Sequence, residues 1–166
     1  LNRRGLDRQL EVTLRQAQQQ RRPLTLLLCD VDHFKLYNDT LGHQAGDECL
    51  MAIADVFRSS CQRAGHFAGR YGGEELALVL SDTPKSGAMT FARALMNLLM
   101  AQRLPHPKSS TGPWVTISGG ITTCVPDEQT TVQGLLHRAD EALYVAKGRG
   151  RSRFFSYEMQ LDTLER

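Results

Sequence analysis

The sequence predicts an α+β fold in which helices pack on a mainly antiparallel sheet. A short apolar run without polar alternation, residues 24–31, is typical of a strand buried on both faces. Two further short runs flank the pair Gly72-Gly73, which indicates a hairpin, because a type I′ turn needs positive φ at both positions. Segments with helical spacing lie between the strands, so hairpin and crossover units are mixed.

Five helices and five strands account for the chain in order. The first helix is predicted where Leu6, Leu10 and Leu14 recur at helical spacing. Asp47 is predicted to cap the third helix. Three prolines make residues 104–113 a loop. We expect helices over residues 5–20, 35–41, 48–57, 84–102 and 132–147, and strands over residues 24–31, 67–71, 76–80, 114–122 and 153–155.

Length and composition indicate one compact globular domain. The chain has 166 residues, of which 41% are hydrophobic and 23% are charged, so disorder is not expected. A net charge of +2 is too balanced to argue for nucleic-acid binding by charge alone. The cysteines are scattered without a C-x-x-C pair, which indicates reduced thiols rather than a disulfide framework or zinc site: Cys29, Cys49, Cys61 and Cys124. The chain begins without methionine, so we expect a fragment of a longer protein.

A pair of acidic residues ends the first strand, in Asp30-Val31-Asp32. Magnesium prefers hard oxygen ligands, and one or two carboxylates together with substrate phosphates often suffice. Carboxylates at the rim of a sheet are therefore a candidate metal site. The alternative is that Asp32 only caps the turn that follows.

The segment from Arg70 to Leu76 reads Arg-Tyr-Gly-Gly-Glu-Glu-Leu. An ordinary hairpin needs the glycines but not two adjacent glutamates, and the glycines also let a polyphosphate approach the backbone. Glu74 would face the first strand if the two strands are neighbours. The alternative is a solvated turn with surface acids.

Two further segments carry polar residues suited to a nucleotide. Asn38 and Asp47, with His43 between them, supply an amide and a carboxylate. A carboxylate accepts from the ring N–H and the exocyclic amine of guanine, and adenine has no matching pair. The alternative is a turn role for Asn38 and capping by Asp47. Lys147 and Arg151 can hold phosphates, although a lysine is also favoured at the end of a helix.

Together, these segments resemble the GGDEF family of diguanylate cyclases. The matching stretches follow the family's order over nearly the whole chain: Asn2-Arg3-Arg4, Asp30 to Lys35, Asn38-Asp39, Gly42-His43, Gly46-Asp47, Arg70 to Leu76, Ser118-Gly119-Gly120, and Arg138 to Lys147 with Arg151. The resemblance implies a single domain over residues 1–166. It also implies a five-stranded, mainly antiparallel sheet like that of nucleotidyl cyclases and polymerase palms.

The resemblance further implies that two GTP condense into cyclic di-GMP with release of two pyrophosphates, in a homodimer whose sites face each other. It implies Mg²⁺ or Mn²⁺ held by Asp30, Glu74 and the Val31 carbonyl. Glu74, or Glu75 in its place, would accept a proton, and Lys35 would stabilise transition-state charge. The guanine-binding residues would be Asn38, His43 and Asp47. The phosphate-binding groups would be the His33 and Phe34 N–H groups, Lys35, Lys147 and Arg151.

The sequence departs from the family pattern in two places. The signature ends in Glu74-Glu75-Leu76, where the family usually has Asp-Glu-Phe; the metal carboxylate and an apolar anchor are kept. Many members carry Arg-x-x-Asp, a product-inhibition site, five residues before the signature. Here Arg63 is present, but His66 stands in place of the aspartate. Histidine cannot accept two guanine N–H bonds as a carboxylate can, so we expect weak or absent feedback inhibition.

Three other functions compete with an active cyclase. A degenerate GGDEF domain would bind GTP or cyclic di-GMP as a signalling module without turnover. A related cyclase would make another cyclic dinucleotide, which Asp47 disfavours. RNA binding would rest only on the basic tail around Phe154 and Phe155. For the leading hypothesis we expect no nucleic-acid partner, a sensory or membrane region of the parent protein in cis, and a cytoplasmic location, including as the cytoplasmic part of a membrane-anchored protein.

Overall fold

A five-stranded sheet organises residues 1–157, the part of the chain that the computed structural model describes. Its strands are β1 (Leu24–Val31), β2 (His66–Arg70), β3 (Glu75–Ser81), β4 (Ile117–Cys124) and β5 (Phe154–Ser156). They lie in the order β2-β3-β1-β4-β5, and all neighbours are antiparallel except the parallel pair β4–β5. The predicted α+β class and mainly antiparallel sheet are confirmed.

Helices cover both faces of the sheet. They are α1 (Arg3–Gln20), α2 (Phe34–Leu41), α3 (His43–Ser60), α4 (Lys85–Ala101) and α5 (Val132–Gly148). The predicted order of helices and strands is confirmed, with ends that shift by a few residues. No helix within residues 1–157 is both long and apolar enough to cross a membrane.

The central strand β1 is buried along its whole length, as its unbroken apolar run predicts. Cys29 and Val31 pack with residues of α2, α3 and α4 on one face of the sheet. Leu26 and Leu28 pack with residues of α1 and α5 on the other face. This alternation follows the two-residue period of a strand and fixes which face each side chain joins. The last residues of β1 are therefore held rigidly at the rim of the sheet.

Two predicted element boundaries are wrong for identifiable reasons. Strand β4 begins at Ile117 rather than at residue 114, because Trp114 bridges to Pro105 and the Val115 N–H donates to Leu104 O at 2.7 Å. These residues close the preceding loop on itself. Asp47 does not cap α3, because the helix begins one turn earlier at His43.

The predicted hairpin between β2 and β3 exists, but its type I′ turn does not. Four residues, 71–74, connect the strands, and neither Gly72 nor Gly73 has positive φ. The Tyr71 N–H donates to Glu75 O at 2.9 Å, and the Arg70 guanidinium donates to Gly73 O. These contacts close a four-residue loop in place of the two-residue turn that the glycines suggested.

Helix α5 lies unusually close to β4 because Gly120 has no side chain. A Cβ at this position would lie 2.0 Å from Ala139 O and 2.3 Å from Leu143 N. Both contacts are with helix backbone, which has no room to move aside. The close approach sets the position of α5, and its C-terminal residues reach the end of β1.

Candidate active site

Asp30 and Lys147 meet where β1 ends. The Lys147 ammonium donates to Asp30 Oδ2 and forms an ion pair with it, and the Asp30 side chain is 10% exposed. Asp30 Oδ1 is buried and has no hydrogen-bond donor within residues 1–157. A buried carboxylate oxygen without a donor is costly, so this atom marks a place for a cation or a substrate proton.

The loop between β2 and β3 brings two more carboxylates to the same rim. Strands β1 and β3 are neighbours, with Asp30 opposite Glu75 in register, and the Val31 N–H donates to Glu74 O at 3.3 Å. Burial, and then the nearby Asp30 carboxylate, raise the pKa of Glu74, while Lys147 lowers it. Burial and Asp30 also raise the pKa of Glu75. The predicted proximity of Glu74 to the first strand is confirmed.

These oxygens are candidate ligands for a hard divalent cation. Within residues 1–157, no three His, Cys, Asp or Glu side chains come together as a metal-binding group. Asp30, Glu74 and a backbone carbonyl such as that of Val31 nevertheless suit an ion that completes its shell with water and substrate phosphates. Burial and then the nearby Asp30 carboxylate raise the pKa of Glu74, and a cation close to both carboxylates would offset their repulsion.

The N-terminus of α2 follows directly after β1. His33 precedes the helix in a left-handed conformation (φ 54°) and makes no side-chain cap, so the first N–H groups of α2 are open to an anion. The His106 Nε2–H donates to His33 O at 3.0 Å, and Ser110 Oγ lies 2.7 Å from His33 Nε2. Lys35, in the first turn, is exposed. The residues predicted to bind phosphate, His33, Phe34 and Lys35, therefore lie together at the start of α2.

Asn38 lies beside the segment that carries Asp47. A Cβ on Gly46 would lie 1.7 Å from Asn38 Oδ1, so the amide packs directly over this glycine. Asn38 Oδ1 is buried and has no donor within the described residues. Asp47 is exposed and follows Gly46 in α3, and His43 is exposed at the start of that helix. The predicted guanine-binding residues therefore gather where α2 meets α3.

The other predicted phosphate-binding residue, Arg151, lies in a turn beyond α5. The Arg151 N–H donates to Ala146 O at 3.1 Å, which holds the turn against the end of the helix. Its guanidinium makes no hydrogen bond or ion pair with residues 1–157, so Arg151 is free to meet a ligand. Lys147, by contrast, already contacts Asp30.

Arg63 and His66 lie apart from these residues. They line a cleft of about 670 Å³ next to α4, and none of the predicted catalytic, metal-binding or substrate-binding residues lines it. Burial, and then the Arg63 charge, lower the pKa of His66. The imidazole next to Arg63 is thus held neutral at physiological pH, where the family's aspartate would carry a negative charge.

Sequence reasoning missed two residues that shape the site. Arg3 Nη1 donates to Tyr71 O at 2.7 Å, and its guanidinium stacks 3.8 Å from the centre of the Tyr71 ring, so α1 supports the signature loop. Its only signal was its place in a family-matching stretch. Asp32 does not cap α2: it is 2% exposed and accepts hydrogen bonds from Thr116, Ser118 and Ser152. No local pattern indicates these distant partners.

The five-stranded sheet, with carboxylates at the end of its central strand, agrees with the resemblance to the GGDEF family. The model of the family described as "Diguanylate cyclase, GGDEF domain" matches residues 1–153, and the chain belongs to this family. The match includes Lys147 and Arg151, the predicted residues furthest along the chain.

Relatives and solved structures agree with this assignment. Diguanylate cyclase A of Treponema denticola is 35% identical over 141 residues, which are 85% of this chain and 37% of that protein. The GGDEF domain of DgcB from Caulobacter crescentus, solved with c-di-GMP, has a TM-score of 0.84 at 30% identity and covers 95% of this chain and 91% of that one. The active GGEEF domain of a Vibrio cholerae diguanylate cyclase has a TM-score of 0.80 at 33% identity, covering 94% and 96%. The chain spans between 21% and 40% of the length of the first curated relatives that it matches.

Proposed function

We propose that this domain is an active diguanylate cyclase that condenses two GTP into cyclic di-GMP. The observation that carries the proposal is made where β1 ends: one Asp30 carboxylate oxygen accepts from Lys147, and the other has no donor within residues 1–157. Glu74 contributes a second carboxylate with a raised pKa at the same place. The relative from Vibrio cholerae, described as active, carries a Gly-Gly-Glu-Glu signature like this one.

Asp30, Glu74 and the Val31 carbonyl would hold Mg²⁺ or Mn²⁺. Such an ion supplies charge neutralisation at the phosphates and makes the attacking hydroxyl more acidic. Lys147 forms an ion pair with Asp30 Oδ2 and orients this carboxylate. Burial and the nearby Asp30 carboxylate raise the pKa of Glu74, and a bound cation would favour its ionised form.

Two equivalent condensations close the cyclic product. The 3′-hydroxyl oxygen of one GTP bonds to the α-phosphorus of the other, and the bond from that phosphorus to the pyrophosphate oxygen breaks. Glu74, or Glu75 in its place, takes the hydroxyl proton, and Lys35 stabilises charge on the phosphate. Because each domain holds one GTP, two domains must face each other, so the catalytic form is a homodimer.

The substrate is oriented at both ends. Asn38, His43 and Asp47 would contact the guanine, and the open N–H groups of His33 and Phe34 would contact the phosphates. Lys35, Lys147 and Arg151 would complete the phosphate site. The product is cyclic di-GMP, and no nucleic-acid partner is required.

A direct assay tests the proposal. Purified domain is incubated with GTP and Mg²⁺ over a range of protein concentrations, and the products are separated by chromatography. We expect cyclic di-GMP at a specific rate that rises with protein concentration, because only facing pairs turn over. No product even from an artificially dimerised fusion that still binds GTP would show a degenerate, nucleotide-binding module. Products from ATP, or only from a mixture of ATP and GTP, would show a different cyclase.

Arg63→Ala is expected to leave the response to cyclic di-GMP unchanged, because His66 supplies no carboxylate for the guanine N–H groups. Initial rates are measured with added cyclic di-GMP for the wild type and this variant. His66→Asp restores the family's Arg-x-x-Asp arrangement and is expected to introduce inhibition. Tight product inhibition in the wild type that Arg63→Ala removes would contradict this expectation.

The proposed activity also implies a cellular location for the domain and a longer parent protein. Since GTP is the substrate, we place the domain in the cytoplasm, alone or as the cytoplasmic part of a membrane-anchored protein. The curated relatives are much longer than this chain, which agrees with a sensory or membrane region of the parent protein in cis.

A further inference from the structure

Asp32 is buried next to the proposed metal site and ties three parts of the chain together. Its Oδ1 accepts from Ser118 Oγ at 2.6 Å, and its Oδ2 accepts from Thr116 Oγ1 at 2.7 Å. Oδ2 also accepts from the backbone N–H of Ser152 at 3.0 Å. Within residues 1–157, no Lys, Arg or His side chain forms an ion pair with it. Asp32 is therefore an anionic acceptor held by donors from β4 and from the turn after α5.

The turn that Asp32 holds has an unfavourable backbone. Arg151 and Ser152 both have left-handed φ, 63° and 51°, although each carries a Cβ. Such conformations are disfavoured outside glycine, and two in succession persist only where surrounding contacts impose them. The Arg151 N–H bond to Ala146 O secures one side of the turn, and the Ser152 N–H bond to Asp32 secures the other.

Asp32 is less available to a metal ion than Asp30 in this arrangement. Both carboxylate oxygens of Asp32 accept hydrogen bonds, whereas Asp30 Oδ1 has no donor within residues 1–157. The Thr116 hydroxyl donates to Oδ2, the same oxygen that accepts from the Ser152 N–H, whereas the Ser118 hydroxyl donates to Oδ1. A charged acceptor also makes a stronger hydrogen bond to a backbone N–H than a neutral one does.

We propose that Asp32 is a positioning residue that holds the Arg151–Ser152 turn against the end of β1, and so presents the Arg151 guanidinium to the phosphates of the bound nucleotide. This inference rests on the proposed function for the identity of the nucleotide. In this role Asp32 supports binding of the phosphates and does not affect binding of the guanine base. The turn positions the Arg151 guanidinium, which makes no hydrogen bond or ion pair with residues 1–157.

Comparing the binding of GTP with that of guanosine distinguishes this positioning role from a general disruption of the fold. GTP and guanosine are titrated against the wild type, Asp32→Ala and the control Ser118→Ala, by competition with a fluorescent GTP analogue. Because the lost bond is charge-assisted, we expect Asp32→Ala to weaken GTP binding about tenfold and to leave guanosine binding unchanged. Ser118→Ala removes another hydrogen bond to the same carboxylate but leaves Ser152 attached, so both affinities should stay at wild-type values. Equal losses for GTP and guanosine would overturn the proposal.

A double-mutant cycle shows whether Asp32 acts through Arg151. If it does, Asp32→Ala combined with Arg151→Ala should bind GTP no more weakly than Arg151→Ala alone. Additive losses would show that Asp32 acts elsewhere and would overturn the proposal. Because these are binding measurements, absent turnover with intact GTP binding rejects only the cyclase function, whereas a wild type that does not bind GTP rejects both.

A milder variant covers the case in which Asp32→Ala does not fold. In Asp32→Asn the amide oxygen can still accept from Ser152 while the Ser118 hydroxyl rotates to accept from the amide nitrogen, so GTP affinity should stay within about threefold of wild type. The Ser152 amide should also exchange hydrogen slowly in the wild type and in Asp32→Asn. A Ser152 amide that exchanges as fast as that of exposed Arg153 would overturn the proposal.

Discussion

Glu74→Ala is expected to reduce cyclic di-GMP formation by about 10²- to 10⁴-fold, the range associated with loss of a catalytic base, and by more if metal binding is also lost. The side chain is exposed at a loop, so its removal should leave the thermal unfolding midpoint nearly unchanged. The loss would therefore be chemical and not structural. Initial rates at saturating GTP and Mg²⁺, with thermal unfolding of each variant, provide the measurement.

Further substitutions of Glu74 and Glu75 show whether the carboxylate charge is what catalysis needs. Glu74→Asp restores the residue usual in the family and should recover much of the rate, because the carboxylate is kept. Glu74→Gln keeps the size but not the charge and should behave like Glu74→Ala. Glu75→Gln tests the neighbouring carboxylate, which lies opposite Asp30 in the sheet. Full activity in Glu74→Gln together with loss in Glu75→Gln would move the proton acceptor to Glu75, and full activity in both would reject this mechanism.

Gly46→Ala is expected to weaken GTP binding by about 5- to 150-fold, equivalent to about 1–3 kcal/mol for a lost hydrogen bond in a buried site. The new Cβ would lie 1.7 Å from Asn38 Oδ1, so the amide must leave its position over the glycine. The protein should still fold, because the displaced atom is the end of a side chain and alanine favours a helix more than glycine does. Equilibrium binding of GTP and thermal unfolding measure the two effects separately.

Gly87→Ala is the matched control for Gly46→Ala, since it makes the same change in α4, which carries none of the proposed site residues. Its added Cβ would lie 3.3 Å from Thr83 Cγ2 and 3.6 Å from Pro84 Cδ, neither of which belongs to the proposed site, so GTP affinity should not change. Asn38→Ala should reproduce the loss seen in Gly46→Ala, and the double variant should add little. Wild-type GTP affinity in Gly46→Ala would mean that the Asn38 amide is not used for the base.

The elements of the fold could be predicted from local patterns. The unbroken apolar run of β1 indicated a strand buried on both faces, and the leucine spacing of α1 indicated a helix with one buried face. Both predictions were confirmed, because burial of a periodic apolar face is the main local determinant of an element. The hairpin was also predicted, but its turn type was wrong: contacts from Arg70 and Tyr71 shape the loop as much as the two glycines do.

The chemistry of the candidate site was visible in the sequence as residue types, but its assembly was not. Asp30 and Lys147 are 117 residues apart, and they meet because Gly120 lets α5 approach β4. The sequence suggested a local cap for Asp32, whereas its partners lie 84 to 120 residues further along the chain.

By itself, the sequence determined the order of elements, the family resemblance and the set of candidate carboxylates, amides and cations. Those properties depend on spacing along the chain, on residue types and on motif order. Only the tertiary structure decided that Asp30 Oδ1 has no donor within residues 1–157, that Asn38 rests on Gly46, and that Asp32 accepts from the Ser152 N–H. The physical reason is that a buried polar group takes its partner from whatever packing brings near, and packing between distant segments leaves no local signature.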